Sequence, residues 1–243
     1  MLEVEELSKE FRMHVRGGVK LLSFDGVSFR VGRGEFLGLT GPSGIGKSSL
    51  LKCIYRTYLP TGGEIWYAGA DGTRVDLARA DEHEVLKLRQ SEIGYISQFF
   101  HVIPRVSAVD ILSGALTGKG CDAAEGRERS EYLLSRVGIP ASLWKMYPST
   151  FSGGEKQRLN IVHAIISRPR LLLLDEPTAS LDPDTKKEVI SLISELKREG
   201  TAMVGVFHDY DSMKKLADLQ YDLSAKQSRA LEKAPEKGGT WFA

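Results

Sequence analysis

The chain has 243 residues, 42% of them hydrophobic and 27% charged, with 33 Lys and Arg against 32 Asp and Glu. That length buries a full core as one domain with an inserted lobe, and the balanced charge gives no footprint for nucleic acid. Cys53 and Cys121 lack metal-ligand spacing and give no disulfide framework, no apolar run reaches the length of a membrane span, and the opening MLEVEELSKE is acidic where a secretory signal is basic and then apolar. The expectation is a cytoplasmic chain with no direct membrane insertion.

Residues 2 to 36 read as short strands with turns at Gly17-Gly18 and Gly32-Arg33-Gly34, an antiparallel layer ahead of the core. Phe11 lies thirty positions before Gly41. An aromatic there either stacks on an adenine ring or packs on its neighbours at a sheet edge.

Phe36 to Tyr55, FLGLTGPSGIGKSSLLKCIY, passes from an apolar strand through a glycine-rich turn into an amphipathic helix. Gly41, Gly44, Gly46, Lys47 and Ser48 fit the phosphate loop G-x-x-x-x-G-K-[ST]. The backbone over Gly41, Pro42, Ser43, Gly44, Ile45 and Gly46 is expected to curl around a polyphosphate, the N–H groups of all but Pro42 facing it at the positive end of the following helix. Lys47 reaches the β- and γ-phosphates, Ser48 ligates Mg²⁺ and Ser49 adds a hydroxyl beside it.

Gly63 to Gly69 predicts a strand, Asp81 to Arg89 a helix, and Ile93 to Ser97 a strand ending at Gln98. A glutamine at such an edge can reach Mg²⁺ and an attacking water through its amide oxygen, although spacing alone makes it an ordinary loop residue. From Phe99 to about Pro148 the pattern turns helical, broken by Gly and Pro, with no second strand-helix alternation. The opening Phe99-Phe-His-Val-Ile-Pro-Arg-Val either docks a partner or packs the lobe itself.

Ser152 and Glu155 have capping-box spacing at the start of a helix that runs through Leu159, Val162, Ile165 and Ile166. A cap does not need the consecutive Gly153 and Gly154, whereas close approach of a phosphate to the helix start does. That helix start cannot easily curl round to the loop of its own subunit, which points to a phosphate held by another copy. Leu171 to Leu174 is a buried-strand run ending in Asp175 and Glu176, the first suited to Mg²⁺ and the second to orienting or deprotonating water. Asp182 and Pro183 start another helix, a strand from Ala202 to Phe207 leads to His208, which could hydrogen-bond a γ-phosphate, and the residues from about Ser224 read as a mobile polar tail.

Taken in order, these motifs resemble the ATP-binding cassette (ABC) ATPases over nearly the whole chain. In that resemblance residues 41 to 49 are the phosphate loop, Gln98 the Q-loop, Phe151 to Arg158 the signature, Asp175 and Glu176 the Walker B aspartate and catalytic base, Ser180 to Asp182 the D-loop and His208 the switch histidine. It implies an α/β fold of the P-loop NTPase type, with a mostly parallel core sheet, an antiparallel β layer and an inserted α-helical lobe. The expected division is 1–98 and 151–223 for the core, 99–150 for the lobe and 224–243 for the tail. Glu155 departs from the family's usual glutamine; it still completes a capping box, so activity is expected to survive. The family implies ATP and Mg²⁺ as cofactors and two cassettes packed head to tail, each ATP between the loop of one and Ser152, Gly153, Gly154 and Glu155 of the other. Asp182 faces the same junction.

Longer tracts, Ser97 to Ala108, Leu143-Trp144 with Pro148 to Glu155, Gly205 to Asp209, and Ile54-Tyr55 with Tyr58-Leu59-Pro60, resemble the PhnL-type cassettes of the bacterial carbon–phosphorus lyase pathway. This implies a second cassette, identical or PhnK-like, the lyase core proteins as partners, and the step that forms ribose 1-alkylphosphonate 5-triphosphate. Two other readings stand beside it: an ABC transporter subunit similar to lipoprotein-release and macrolide exporters, and a regulatory cassette that binds ATP with little hydrolysis.

Overall fold

The structure, a computed structural model, describes residues 1–13, 19–97, 105–207, 209–224 and 232–233. The Gly17-Gly18 turn, Gln98 with the residues up to 104, His208 and most of the residues after 224 lie outside the described residues.

Strands β1 (Leu2–Met13), β2 (Val19–Val31), β4 (Gly62–Ala68) and β5 (Arg74–Asp76) form one antiparallel sheet in the order β2-β1-β4-β5. The second sheet has six strands, β3 (Phe36–Thr40), β6 (Ile93–Ile96), β7 (Leu171–Asp175), β8 (Ala202–Val206), β9 (Leu219–Asp222) and β10 (Glu232–Lys233), in the order β10-β9-β3-β8-β7-β6. It is parallel except for β10. Helices α1 (Lys47–Ile54) and α2 (Glu82–Ser91) precede β6, and α3 (Ala108–Thr117), α4 (Ala123–Arg136) and α5 (Ala141–Trp144) follow it. Helix α6 (Gly153–Ile165) leads into β7, α7 (Pro183–Arg198) joins β7 to β8, and α8 (Tyr210–Leu216) joins β8 to β9. No helix among the described residues is long and apolar enough to cross a membrane.

All residues of β7 and β8 are buried, as expected of parallel strands covered on both faces. Their alternation divides the core in two. Leu172, Leu174 and Met203 join α3, α4, α6 and α7 in one cluster, while Leu171, Leu173 and Val204 pack with α1 and the antiparallel sheet in the other. Gly205 is where β8 yields to its neighbour: a Cβ there would lie 2.8 Å from the Phe36 ring.

The register fixes the working end of the sheet. Leu39 and Asp175 both pair with Val206, so the loop after β3 and the carboxylates after β7 emerge on either side of β8. Asp81, Ser107, Asp122, Ser152 and Asp182 each cap a helix through a side-chain oxygen; of these the starts at Asp81, Ser152 and Asp182 are the ones the sequence marks.

Two differences from the sequence reading concern the C-terminal part. Helix α8 and strand β9 follow His208, where sequence alone marks nothing between 209 and 223. Glu232 and Lys233 pair antiparallel with Gln220 and Leu219, so the segment after 224 is not wholly a free tail. Cys53 is buried, which pushes its thiol up to about 11 and leaves it an inert core residue.

Candidate active site

The loop after β3 is built by glycines in the left-handed region: Gly41 has φ 124°, Gly44 80° and Gly46 107°. Gly46 is also irreplaceable by volume, because a Cβ there would sit 2.5 Å from the Ser23 carbonyl oxygen. Helix α1 starts directly after it with no side-chain cap, so its first N–H groups face outward as an anion cradle. Lys47 donates from Nζ to the carbonyl oxygens of Gly41 at 2.6 Å and Pro42 at 2.8 Å, laying its charge along the loop.

Ser48 Oγ donates to Asp175 Oδ1 at 2.7 Å, bringing the loop and the end of β7 into direct contact. Asp175 is 2% exposed, and its Oδ2 accepts a bond from the Tyr95 hydroxyl at 3.0 Å. Burial, and then the Asp175 charge, raise the Tyr95 phenol above its usual range, so it stays protonated as a donor. Glu176 is held at φ 54° with its N–H on the Val206 carbonyl at 3.0 Å. A glutamate in the left-handed region is strained, and this turn follows directly on Asp175.

Lys47, Ser48, Ser49 and Glu176 line one cleft of about 740 Å³. Phe11, Leu21 and Leu22 belong to its apolar lining, and Leu21 and Leu22 are more than half exposed. Phe11 meets the Tyr58 ring edge-on at 5.3 Å with Lys9 Nζ 4.7 Å from its face. Phe11 thus packs against a neighbour, as the edge-packing reading expects, and also borders the cleft. The leucines beside it were not marked by any sequence motif, and only the antiparallel pairing of Phe11 with Leu21 brings them there.

The donor set suits a hard cation. A serine hydroxyl and a carboxylate are oxygen ligands, and no group of three His, Cys, Asp or Glu among the described residues could hold a metal alone. Such a pair fits Mg²⁺ that takes its other oxygens from phosphates and water.

The profile of the ABC transporter family matches residues 24–179. This chain belongs to the ABC transporter ATPase family. The methionine import ATP-binding protein MetN of Symbiobacterium thermophilum is 35% identical over 219 residues, 90% of this chain and 63% of that protein. The Escherichia coli glutamine transport ATP-binding protein GlnQ is 34% identical over 218 residues, 89% of this chain and 85% of that one. Among solved structures, the dimeric ATP-binding cassette MJ0796 in a post-hydrolysis state with ADP and Pi has a TM-score of 0.84 at 27% identity, over 98% of this chain and 100% of that one. Cassettes of this family bind ATP with Mg²⁺. The relatives named here are import ATP-binding proteins and a transporter cassette, none of them a carbon–phosphorus lyase protein.

The expected signature segment lies away from the cleft: none of Ser152 to Glu155 is among its lining residues, nor is Asp182. Ser152 and Glu155 form the full capping box, Glu155 N–H donating to Ser152 Oγ at 3.3 Å and Ser152 N–H to Glu155 Oε2 at 2.7 Å. The Ser152 N–H holds the Glu155 carboxyl below its usual range, so the residue is anionic. A Cβ at Gly153 would meet nothing within 4 Å, and one at Gly154 only the Ser180 carbonyl at 3.8 Å. Neither glycine is needed by this chain's own packing.

Asp182 caps α7, accepting from the backbone N–H groups of Asp184 at 3.2 Å and Thr185 at 3.0 Å. Gln98 and His208 lie outside the described residues. Beside the latter, Asp209 caps α8 and pairs with Lys186 of α7, an ion pair that no local motif marks.

Proposed function

We propose that this chain is an ATP-hydrolysing cassette that works as one of two in a head-to-tail dimer. The observation that carries this reading is the Ser48–Asp175 hydrogen bond beside Glu176 in the cleft of the phosphate loop. Gly41 to Ser49 bind the phosphates, Lys47 turns from its own loop to the β- and γ-oxygens, and Phe11 with Leu21 and Leu22 covers the base. Ser48, Asp175 and Gln98 would hold Mg²⁺, which when bound would offset charge developing on the phosphates. Glu176 takes the proton of the attacking water and His208 bonds the γ-phosphate. Ser152, Gly153, Gly154, Glu155 and Asp182 face the nucleotide of the second cassette, which accounts for two glycines that this chain's own packing does not require. Residues 99–150 form the lobe inserted between the halves of the core.

The names of the import relatives favour a transporter subunit whose second partner is a membrane permease. A second reading, a PhnL-like subunit acting with a PhnK-like cassette and the lyase core proteins in alkylphosphonate breakdown, rests on the tracts around Gln98, Trp144 and Gly205. Capture of partners on Glu176→Gln with ATP and Mg²⁺ from native cells, without and then with detergent, separates them. A permease recovered with detergent supports the first; soluble phosphonate-pathway proteins recovered without it support the second. An ATPase assay on the native chain tests hydrolysis itself, and nucleotide binding without turnover would leave a regulatory cassette.

A further inference from the structure

Asp175 is buried with both carboxylate oxygens held by hydroxyls, Oδ1 by Ser48 and Oδ2 by Tyr95. Tyr95 stands on β6 beside Leu173 of β7, two residues before Asp175 at the end of that strand. The ring is itself held. It stacks on Tyr55 with centroids 4.9 Å apart and planes 32° from parallel. The Arg89 guanidinium lies 4.3 Å from the Tyr55 ring centre and donates from Nε to the Tyr55 carbonyl at 2.8 Å. Tyr55 is the residue that closes α1, and Ser48 belongs to the first turn of the same helix. Both ends of α1 thus converge on one carboxylate, the N-terminal end directly and the C-terminal end through Tyr95.

We propose that Tyr95 is a positioning residue for the metal site: its hydroxyl locks the Asp175 carboxylate so that Oδ1 and the Ser48 oxygen face the cation, while Tyr55 and Arg89 lock Tyr95. A buried carboxylate with only one oxygen tied can rotate about its last bond, and each rotation moves a metal ligand. With both oxygens tied to elements of the same core, the ligand plane is set before nucleotide arrives. This inference rests on reading the cleft as the Mg²⁺–ATP site. A hydroxyl that merely satisfied a buried carboxylate would affect stability and nothing else.

The test measures binding of a fluorescent ATP analogue to the full chain, in EDTA and across a Mg²⁺ titration, for the native protein and for Tyr95→Phe. In Tyr95→Phe the affinity in EDTA stays native, whereas the Mg²⁺ concentration at half-maximal effect rises about ten-fold, the size expected for one hydrogen bond to a charged group. A Mg²⁺ titration that superimposes on the native curve overturns the proposal, whatever happens to the melting temperature. If Tyr95→Phe does not fold, Tyr55→Leu keeps the hydroxyl and removes the ring that supports it; a rise of a few-fold is then expected, and an unchanged titration is again fatal. Failure of the native chain to bind the analogue at all would instead remove the reading of the cleft.

Discussion

Lys47 lays its ammonium on the carbonyl oxygen of Gly41 at 2.6 Å, six residues back along the same loop. The side chain is thereby folded back on its own loop, and a bound phosphate must compete with two carbonyl oxygens for its charge. Lys47→Ala removes a charge-assisted donor from both arrangements. Nucleotide affinity should fall at least about ten-fold, by calorimetry or fluorescence. Unchanged affinity would detach the loop from nucleotide binding.

Glu176→Gln keeps the size and the backbone turn of the residue but cannot accept a proton. Binding should stay within a few-fold of native, turnover should drop at least about 100-fold, and a dimer should accumulate with ATP in gel filtration. Native turnover in this variant would take the role of base away from Glu176.

Gly153→Ala separates the chain's own needs from those of a second copy. Since the added Cβ meets nothing within 4 Å, the melting temperature and monomer nucleotide binding should not change. Hydrolysis and ATP-driven dimerisation should fall, because the methyl group would stand where a phosphate of the opposing cassette approaches. If the variant hydrolyses ATP at the native rate, Gly153 does not face nucleotide.

The Lys186–Asp209 pair gives an acid-limb prediction. Lys186, together with the Ser212 hydroxyl, holds the Asp209 carboxyl at about 2, below its ordinary value of 3.8. A carboxyl depressed in the folded state adds stability above its unfolded value, and that contribution disappears as pH falls from about 4 through about 2. Lys186→Met should therefore lower the melting temperature slightly at neutral pH, within the ~1 kcal/mol of a solvent-screened pair, and the gap from native should close across that window. A gap independent of pH would mean that Lys186 acts through packing.

What the sequence made legible was local. The phosphate loop, the buried run of β7 and the capped starts of α6 and α7 each carry their signal within a dozen neighbouring residues, and each lies where that signal places it. Strand β9, LQYD, leaves no mark in the sequence because four residues of mixed polarity have no period to read. The Tyr95–Asp175 bond joins residues 80 positions apart, and nothing in either segment names the other. Leu21 and Leu22 reach the cleft only through the pairing of β1 with β2. The resemblance to carbon–phosphorus lyase cassettes rests on the residues that surround Gln98, Ser152 and His208, and the import relatives carry transporter names instead.

Strands β3 and β7 never touch; each pairs with β8, and Leu39 and Asp175 share Val206 as their common neighbour. Two strand spacings, about 9.6 Å in all, therefore lie between the root of the phosphate loop and the root of the carboxylates. That span is a ruler made of main-chain hydrogen bonds, and no side chain calibrates it. Surface loops and helices can lengthen, shorten or change partner without altering the gauge at which the two halves of the site face each other.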